Sequence, residues 1–465
     1  MIDPTRRGFL AGTGALTLAV AIGCGGDSKG TRIRHAEASG EFKANLYITV
    51  MPDGRIGLVV NKAEFGQGVG TAYATLAAEE LGVAVDQIDV EYAGSHKDMR
   101  TSFGMQVTGG STSTAEGYKA VRKSAASARE MLVAAAAASW KVPTSQCSVG
   151  GGKVLHAASA RAIGYGDLTK LAARESVPSK PKLKAVKDFT VIGKHDRRVD
   201  ARSKVDGTAK FGIDTVVPNM VNAYVIHGPV FGARATKVSA DAARKRPGVI
   251  DIFAFAGGVA VVADKYWQAM AAAREVEVTW SPGEVSKLDT EEMQRAMRAY
   301  DDDGTSVKDS GNAGKALGRA KTKLRAIYEA PYLCHAPLEP QNCTVSVIGK
   351  TAEVWAPNQS ATVVQAFVSD AVGIAFENVK VHTTLLGGGF GRRLVADACA
   401  QAAIISQRVK RPVKLVWSRE SDMTQAFYRP VYSVHFEGAV DDGRVTALRT
   451  HCISQSILLS SAETM

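Results

Sequence analysis

Apolar and polar residues alternate through "NLYITVMPDGRIGLVVNKAEF", Asn45–Phe65, on both sides of a Pro-Asp-Gly turn. This period of two predicts a β-hairpin. The period then lengthens. "GQGVGTAYATLAAEELGV" reads as a glycine-rich turn followed by a helix that ends at Gly82, a C-cap. "VTGGSTSTAEGYKAVRKSAASAREMLVAAAAASW" repeats that plan with a longer helix, and Ser113 followed three residues on by Glu116 matches a capping box at its start. Lysine- and proline-rich "SVPSKPKLKAVKD", Ser176–Asp188, has no period and reads as a linker.

From about Val199 the pattern changes to short β-rich runs such as "VNAYVIHGPVF" and "GVAVVA", interleaved with helical "SADAARKR" and "YWQAMAAAREV". This is expected to be a small α+β domain. Polar "YDDDGTSVKDSGNAGKALG" separates it from a last part in which strands dominate again, in "TAEVWAP" and "NVKVHTTLL". A dense glycine loop, "GGGFGRR", Gly387–Arg393, follows. After it comes a helix expected to carry Leu394, Ala398, Ala402 and Ile405 on one face.

Three glycine-rich turns therefore precede predicted helices: Gly66–Gly70, Gly109–Thr114 and Gly387–Arg393. Each is a candidate anion seat, because a helix N-terminus presents unpaired N–H groups at the positive end of its dipole. Three in one chain suggest a large ligand with several polar and phosphate groups. The familiar nucleotide loops are absent. "GGGFGRR" does not give GxGxxG, since Arg392 takes the last position, and no GxxxxGK[ST] occurs. "GDSKG", Gly26–Gly30, matches a hydrolase elbow by letters alone, and Ser28 reads as a tail residue.

With 465 residues, 45% hydrophobic and 22% charged, the chain can bury sizeable cores and falls outside the disordered class. Its formal charge of +11 is spread, with no basic stripe interleaved with aromatics, so no nucleic-acid partner is expected. At the N-terminus, "TRRGFLAGTGALTLAVAIGC" puts Arg6 and Arg7 ahead of an apolar run too short for a comfortable membrane span. Residues 1–23 resemble a twin-arginine export signal, which implies a periplasmic protein exported folded. "AIGC" is similar to a lipoprotein box with Cys24 as the anchored residue, and a plain cut after Ala21 stands beside that reading. None of the six cysteines forms a CxxC pair, so an iron–sulfur relay within this chain is not expected. Cys334 and Cys343 read as buried small hydrophobes rather than metal ligands.

Taken in order, "EFGQGVGTAYATLAAEELGV", "GGSTSTAEGYKAVRKSA", "PYLCHAPLEPQNC", "EVWAPNQ" and "LLGGGFGRR" resemble the molybdenum-binding large subunits of isoquinoline 1-oxidoreductase type. These belong to the xanthine dehydrogenase and aldehyde oxidase superfamily. "DARSKVDGTAKFGIDTVVPNMVNAYVIHGPVFGA" is similar to its α/β hammerhead domain. The fold the resemblance implies is α+β, with molybdopterin-binding segments at 40–160 and 323–465 flanking a hammerhead domain at 199–290. A linker at 161–198 and a polar connection at 291–322 complete the plan, and the C-terminal part of the family length is missing.

The resemblance implies molybdopterin with molybdenum, commonly in the cytosine dinucleotide form, held without a protein ligand to the metal. By motif position Gln67 and Gly68 would contact the cofactor, and Gly109, Gly110, Ser111 and Thr112 would seat its pterin or phosphate part. Gln359 would face the metal's oxo ligand. Phe390 would sit beside the metal, with Gly388, Gly389, Gly391 and Arg392 shaping the loop. His335 and Glu339 are expected to be structural. No counterpart of the family's base glutamate is identified, so the catalytic residue is unknown. Glu420 and Glu437 are not in its context. Leu394 stands where xanthine-oxidising relatives carry a glutamate, which points to N-heterocycles or aldehydes. The implied partners are a small iron–sulfur subunit, a c-type cytochrome beyond it and a small-molecule substrate. The alternative is a truncated, catalytically incomplete chain that binds or helps assemble the cofactor.

Overall fold

The hairpin forms where alternation places it. In this computed structural model, which describes residues 42–101, 104–283, 285–300, 304–425 and 427–456, strands β2 (Ile48–Val50) and β3 (Ile56–Val60) pair antiparallel across a turn closed by Gly54 at φ 86°. Glycine takes that left-handed angle without a Cβ penalty. The signal-like segment, Cys24 and Ser28 lie outside the described residues. The chain divides into two compact units, Met1–Val217 with Cys343–Lys410, and Pro218–Asn342 with Arg411–Met465.

In the first unit β1 (Phe42–Lys43), β2, β3 and β4 (Ile88–Tyr92) make one sheet. The crossover between parallel strands β3 and β4 is helix α1 (Val69–Leu81), capped by left-handed Gly82 as expected. Helix α2 (Ser113–Trp140) packs on α1 and buries Val121, Ala125, Ala128, Met131 and Leu132. The two helices approach closely because residue 117 is glycine: a Cβ there would lie 2.1 Å from the Tyr73 hydroxyl, which donates to Ser113 O. The capping box at the start of α2 does not form. Thr112 is the N-cap and makes no side-chain cap bond, and Glu116 instead pairs with Lys62. A tertiary charge partner outcompetes the local bond here.

The stretch expected as a linker is structured at its start. There β7 (Arg161–Gly164) joins β5 (Cys147–Gly150) and β6 (Lys153–His156), which precede that stretch, in a small sheet, and helix α3 (Tyr165–Ala172) buries Tyr165, Leu168 and Ala172 in the core. Beyond it, the proline- and lysine-rich run is held by two fully buried carboxylates of α1. Glu79 accepts from Lys184 Nζ and from the backbone N–H of Thr190, Val191 and Ile192 just after the run, while Glu80 accepts from Lys184 N and pairs with Arg122 and Arg129 of α2. Burial pushes the Glu79 carboxyl up, but these donors outweigh it and bring it down to about 2.

The unit's second stretch supplies β8 (Asn342–Ile348) from its second residue on, β9 (Thr351–Ala356), helix α4 (Ala361–Val372), β10 (Val379–Thr383) and helix α5 (Asp397–Val409). Val345, Val347, Ala352, Val354, Val379 and Val381 are buried strand positions, as are Val364, Val368, Ala402 and Ile405 on the helices. Leu394 is not on the α5 face but in a separate single 3-10 turn, Arg392–Leu394.

In the second unit Val249–Phe255, Gly258–Ala263 and Val221–Ile226 are successive antiparallel neighbours, and Val413–Val416 runs parallel to the last. Ile252, Val259, Val261 and Ala263 pack on Ala269 and Ala272 of the Tyr266–Ala273 helix. Thr322–Ala330, Tyr432–Asp441 and Arg444–Ser454 form a further antiparallel sheet. The expected polar connection holds two helices, Thr290–Arg298 and Ala313–Arg319, of which the second packs through Leu317 on Ala439 and Ala447. Residues 199–217 belong with the first unit, not with the small domain that follows.

Candidate cofactor-binding site

The inward parity of β3, set by Ile56, Leu58 and Val60, continues past the strand to Lys62 and Glu64, which are 3% and 1% exposed. Charged side chains on a buried parity must find partners, because an unpaired buried ion is costly. They find them in the loops around them. Asn61 Nδ2 donates to Met99 O (3.1 Å). Lys62 Nζ donates to Thr101 Oγ1, Val107 O and Glu116 Oε2 at 3.2, 2.9 and 2.7 Å. Ala63 N donates to Thr108 Oγ1 (2.8 Å), and Leu386 N donates to Glu64 O (3.2 Å). This four-residue run reaches all three glycine loops.

The first loop, Gly66–Gly70, is not an open anion seat. Glu64 Oε1 accepts from Gly66 N (2.9 Å) and Gly68 N (3.0 Å), and its Oε2 accepts from Gly70 N (3.2 Å). The chain's own carboxylate thus occupies the N–H nest at the start of α1. Arg198 closes it, donating to Glu64 (3.2 Å) and Gly66 O (2.8 Å), and is itself held by Asp200. Burial raises the Asp200 carboxyl, but Arg198 and Lys204 bring it down to about 2. Gln67 is exposed, with its amide folded back onto Phe65 N and Ala63 O.

The second loop is more open, although Thr112 N and Oγ1 both donate back to Gly109 O (3.4 and 3.3 Å). Gly110 and Ser111 take successive left-handed angles, φ 63° and 56°, and Gly110, Ser111 and Thr112 are exposed. They lead into the 28-residue α2, whose first-turn N–H groups have no intrahelical carbonyl to reach and no side-chain cap. Gly109 lies beside Leu394, 3.9 Å from where its Cβ would stand.

The third loop is aimed by Gln359, which is 4% exposed. Gln359 Nε2 donates to Thr108 O (2.9 Å) and its Oε1 accepts from Gly391 N (3.0 Å). Its backbone accepts from Thr108 N (2.7 Å) and donates to Arg393 O (3.0 Å). Both halves of the amide therefore join the second loop to the third. Gly389 is required at this junction, since a Cβ would stand 2.8 Å from Gln359 Oε1. Both arginines turn inward: Arg392 is fully buried on Asp397 (2.7 Å), and Arg393 donates to Gly388 O (2.9 Å). The loop's tip is Phe390, 70% exposed at φ 56°. A bulky residue held left-handed and turned out to solvent is strained by roughly 1–3 kcal/mol, a pattern that clusters at functional sites.

These observations fit a large, partly anionic ligand. One helix N-terminus is open, a glycine backbone is tied close to it, and a strained aromatic stands at the tip. Among the described residues no group of three His, Cys, Asp or Glu is placed to hold a metal. Glu339 bonds Asn342 and the His335 ring lies 5.2 Å from Phe427, both in the second unit; Cys343 is fully buried, but Cys334, expected to be buried with it, is only half-buried. Asn61, Lys62, Glu64, Arg198 and Asp200 were not singled out from the sequence. The legible signal was the inward parity of β3 running on through two charged residues.

Two stretches of the chain, 6–218 and 299–462, match models described as molybdopterin cofactor-binding domains. The chain is 30% identical to the isoquinoline 1-oxidoreductase subunit beta of Brevundimonas diminuta, over 96% of its own length and 63% of the relative's. It is 27% identical to a membrane-bound aldehyde dehydrogenase (pyrroloquinoline-quinone) of Gluconacetobacter polyoxogenes, over 96% of itself and 59% of that protein. Among solved structures, CO dehydrogenase from Oligotropha carboxidovorans matches with a TM-score of 0.45 at 19% identity, covering 56% of this chain and 39% of that one. The chain thus spans about three fifths of the length of these two relatives.

Proposed function

This chain belongs to the molybdopterin-binding large subunits of the xanthine dehydrogenase and aldehyde oxidase superfamily, isoquinoline 1-oxidoreductase type, and on that premise we propose that it holds the cofactor of a molybdenum-dependent oxidoreductase. The substrate class is an N-heterocycle or an aldehyde, oxidised with oxygen from water. Electrons leave to a separate iron–sulfur subunit and onward to a cytochrome. The cofactor is in its cytosine dinucleotide form. The enzyme acts in the periplasm after twin-arginine export, with Cys24 as a lipid anchor. The observation that carries the reading is the Gln359 junction, which brings an open helix N-terminus and a glycine loop with an exposed tip into one frame.

When bound, the molybdenum group supplies an activated oxygen and a two-electron acceptor. The residues of this chain bind and orient. Gly109–Thr112 and the first turn of α2 receive the anionic part of the cofactor through backbone N–H groups and the helix dipole. Gln359 sets the distance between that seat and Gly388–Gly391. Phe390, at the exposed tip, would stand beside that group, cover the reacting face and limit water there. Glu64 already accepts from three N–H groups and Arg198, so it orders the first loop and is not the proton acceptor.

The test is the pterin and molybdenum content of the full chain, produced with molybdate in a host that makes the cofactor and with the iron–sulfur subunit present. A stoichiometry approaching one pterin and one molybdenum per chain is expected. Protein that is folded and free of pterin under these conditions overturns the reading.

A further inference from the structure

Lys62 is an ammonium group buried at 3% exposure, and the acceptors it meets, Thr101 Oγ1, Val107 O and Glu116 Oε2, lie outside Gly109–Thr112. Its three acceptors are nevertheless distributed with a consequence. Val107 O immediately precedes Thr108, the residue gripped by Gln359, and Glu116 Oε2 lies in the first turn of α2. Thr101 Oγ1 fixes the far end of the same segment. The exposed seat Gly109–Thr112 is therefore suspended between two points that one side chain holds. A backbone carbonyl held from inside and a helix start held by charge leave the intervening residues little freedom. Two successive left-handed residues, Gly110 and Ser111, are sustained there, and such conformations persist only where surroundings over-determine them.

We propose that Lys62 is a positioning residue for the cofactor seat. It presets the Gly109–Thr112 loop and the start of α2 in the geometry that receives the cofactor's anionic part. The proposal rests on the functional reading above. It assigns Lys62 no contact with cofactor or substrate. It also explains why Glu116 is not a capping residue: its carboxylate serves as the counter-charge that lets the lysine be buried.

The test uses the full chain with Lys62→Met, which keeps the apolar stem and removes every donor, and with Lys62→Met combined with Glu116→Gln, which also neutralises the carboxylate that faced the lysine. Amide hydrogen exchange is read at 105–117 against α1 at 69–81 in the same sample, and pterin content is read in parallel. Lys62→Met is expected to speed exchange at 105–117 roughly tenfold while α1 is unchanged, and to lower pterin content several-fold. The double variant is expected to regain thermal stability without regaining loop protection or pterin. Unchanged exchange at 105–117, or recovery of pterin in the double variant, overturns the proposal, the second because it reduces the lysine to a charge partner. If wild-type protein carries no pterin at all, the functional reading fails, while the exchange comparison still decides whether Lys62 clamps the loop.

Discussion

Gln359 and Thr108, 251 residues apart in sequence, exchange two hydrogen bonds, Thr108 N to Gln359 O at 2.7 Å and Gln359 Nε2 to Thr108 O at 2.9 Å. The same glutamine amide also accepts from Gly391 N, so one side chain sets the spacing of two loops. Replacing it by leucine keeps the backbone bonds and removes the amide's. A loss of about 1–3 kcal/mol is expected, since buried partners are left unsatisfied, together with reduced pterin content. Urea unfolding and pterin fluorescence check the two effects. Retention of full pterin content by Gln359→Leu would show that the junction does not govern binding.

Gly389→Ala probes the same junction from the other side. The added methyl would meet the Gln359 amide oxygen at 2.8 Å, and that amide is held at both ends. Overpacking of this kind costs about 1–3 kcal/mol. The shift in urea midpoint should nearly vanish when Gln359 is alanine, because the obstructing atoms are gone. Equal destabilisation in both backgrounds contradicts the contact.

Phe390 separates stability from function. The Phe390→Gly variant removes a left-handed bulky residue, and its unfolding free energy should stay within about 1 kcal/mol of wild type or rise. Substrate oxidation by the assembled enzyme should nevertheless fall at least about tenfold if the ring covers the reacting face. Thermal denaturation and steady-state rates measured on one preparation decide it. Unchanged rates would remove Phe390 from the site.

The Glu79 carboxyl makes acid stability a local property. Its folded value, brought down to about 2 from an ordinary 4.5, lies below its unfolded value. The stabilisation it contributes is therefore present above about pH 4.5 and is lost as pH falls from there toward 2. Glu79→Gln should destabilise the protein by about 1–3 kcal/mol at neutral pH, through poorer acceptance of the three N–H groups. It should also flatten the fall in stability across that acid window. Denaturant titrations at a series of pH values check both, and a variant that keeps the wild-type slope contradicts the assignment.

Much of the site's backbone was legible without the fold. The hairpin, the Gly82 cap and two glycine loops opening onto helices follow from local rules of period and turn chemistry, which act over a few residues. The loops' different fates were not legible. By pattern Gly66–Gly70 and Gly109–Thr112 are equivalent anion seats, yet Glu64 fills the first and leaves the second open. The third loop enters a lone 3-10 turn rather than a helix, and its two arginines turn into the protein. The lysine-rich run after α3 looked like a free linker because composition records exposure preference. It does not record that Glu79 and Glu80 of α1 are buried and need donors.

By itself the sequence determined the α+β class, the places where backbone is freed by glycine, and the ordered motifs by which the family resemblance was recognised. Short-range sterics and hydrophobic periodicity suffice for these, since each is decided within a turn or a strand. Tertiary structure alone decided which N–H groups stay available to a ligand, which charges are consumed internally, and that Gln359 grips Thr108 from the far side of the chain. Those outcomes depend on which buried polar atoms meet. A buried carboxylate or ammonium takes whatever donor or acceptor the packing brings within about 3 Å, and no local pattern states who that partner will be.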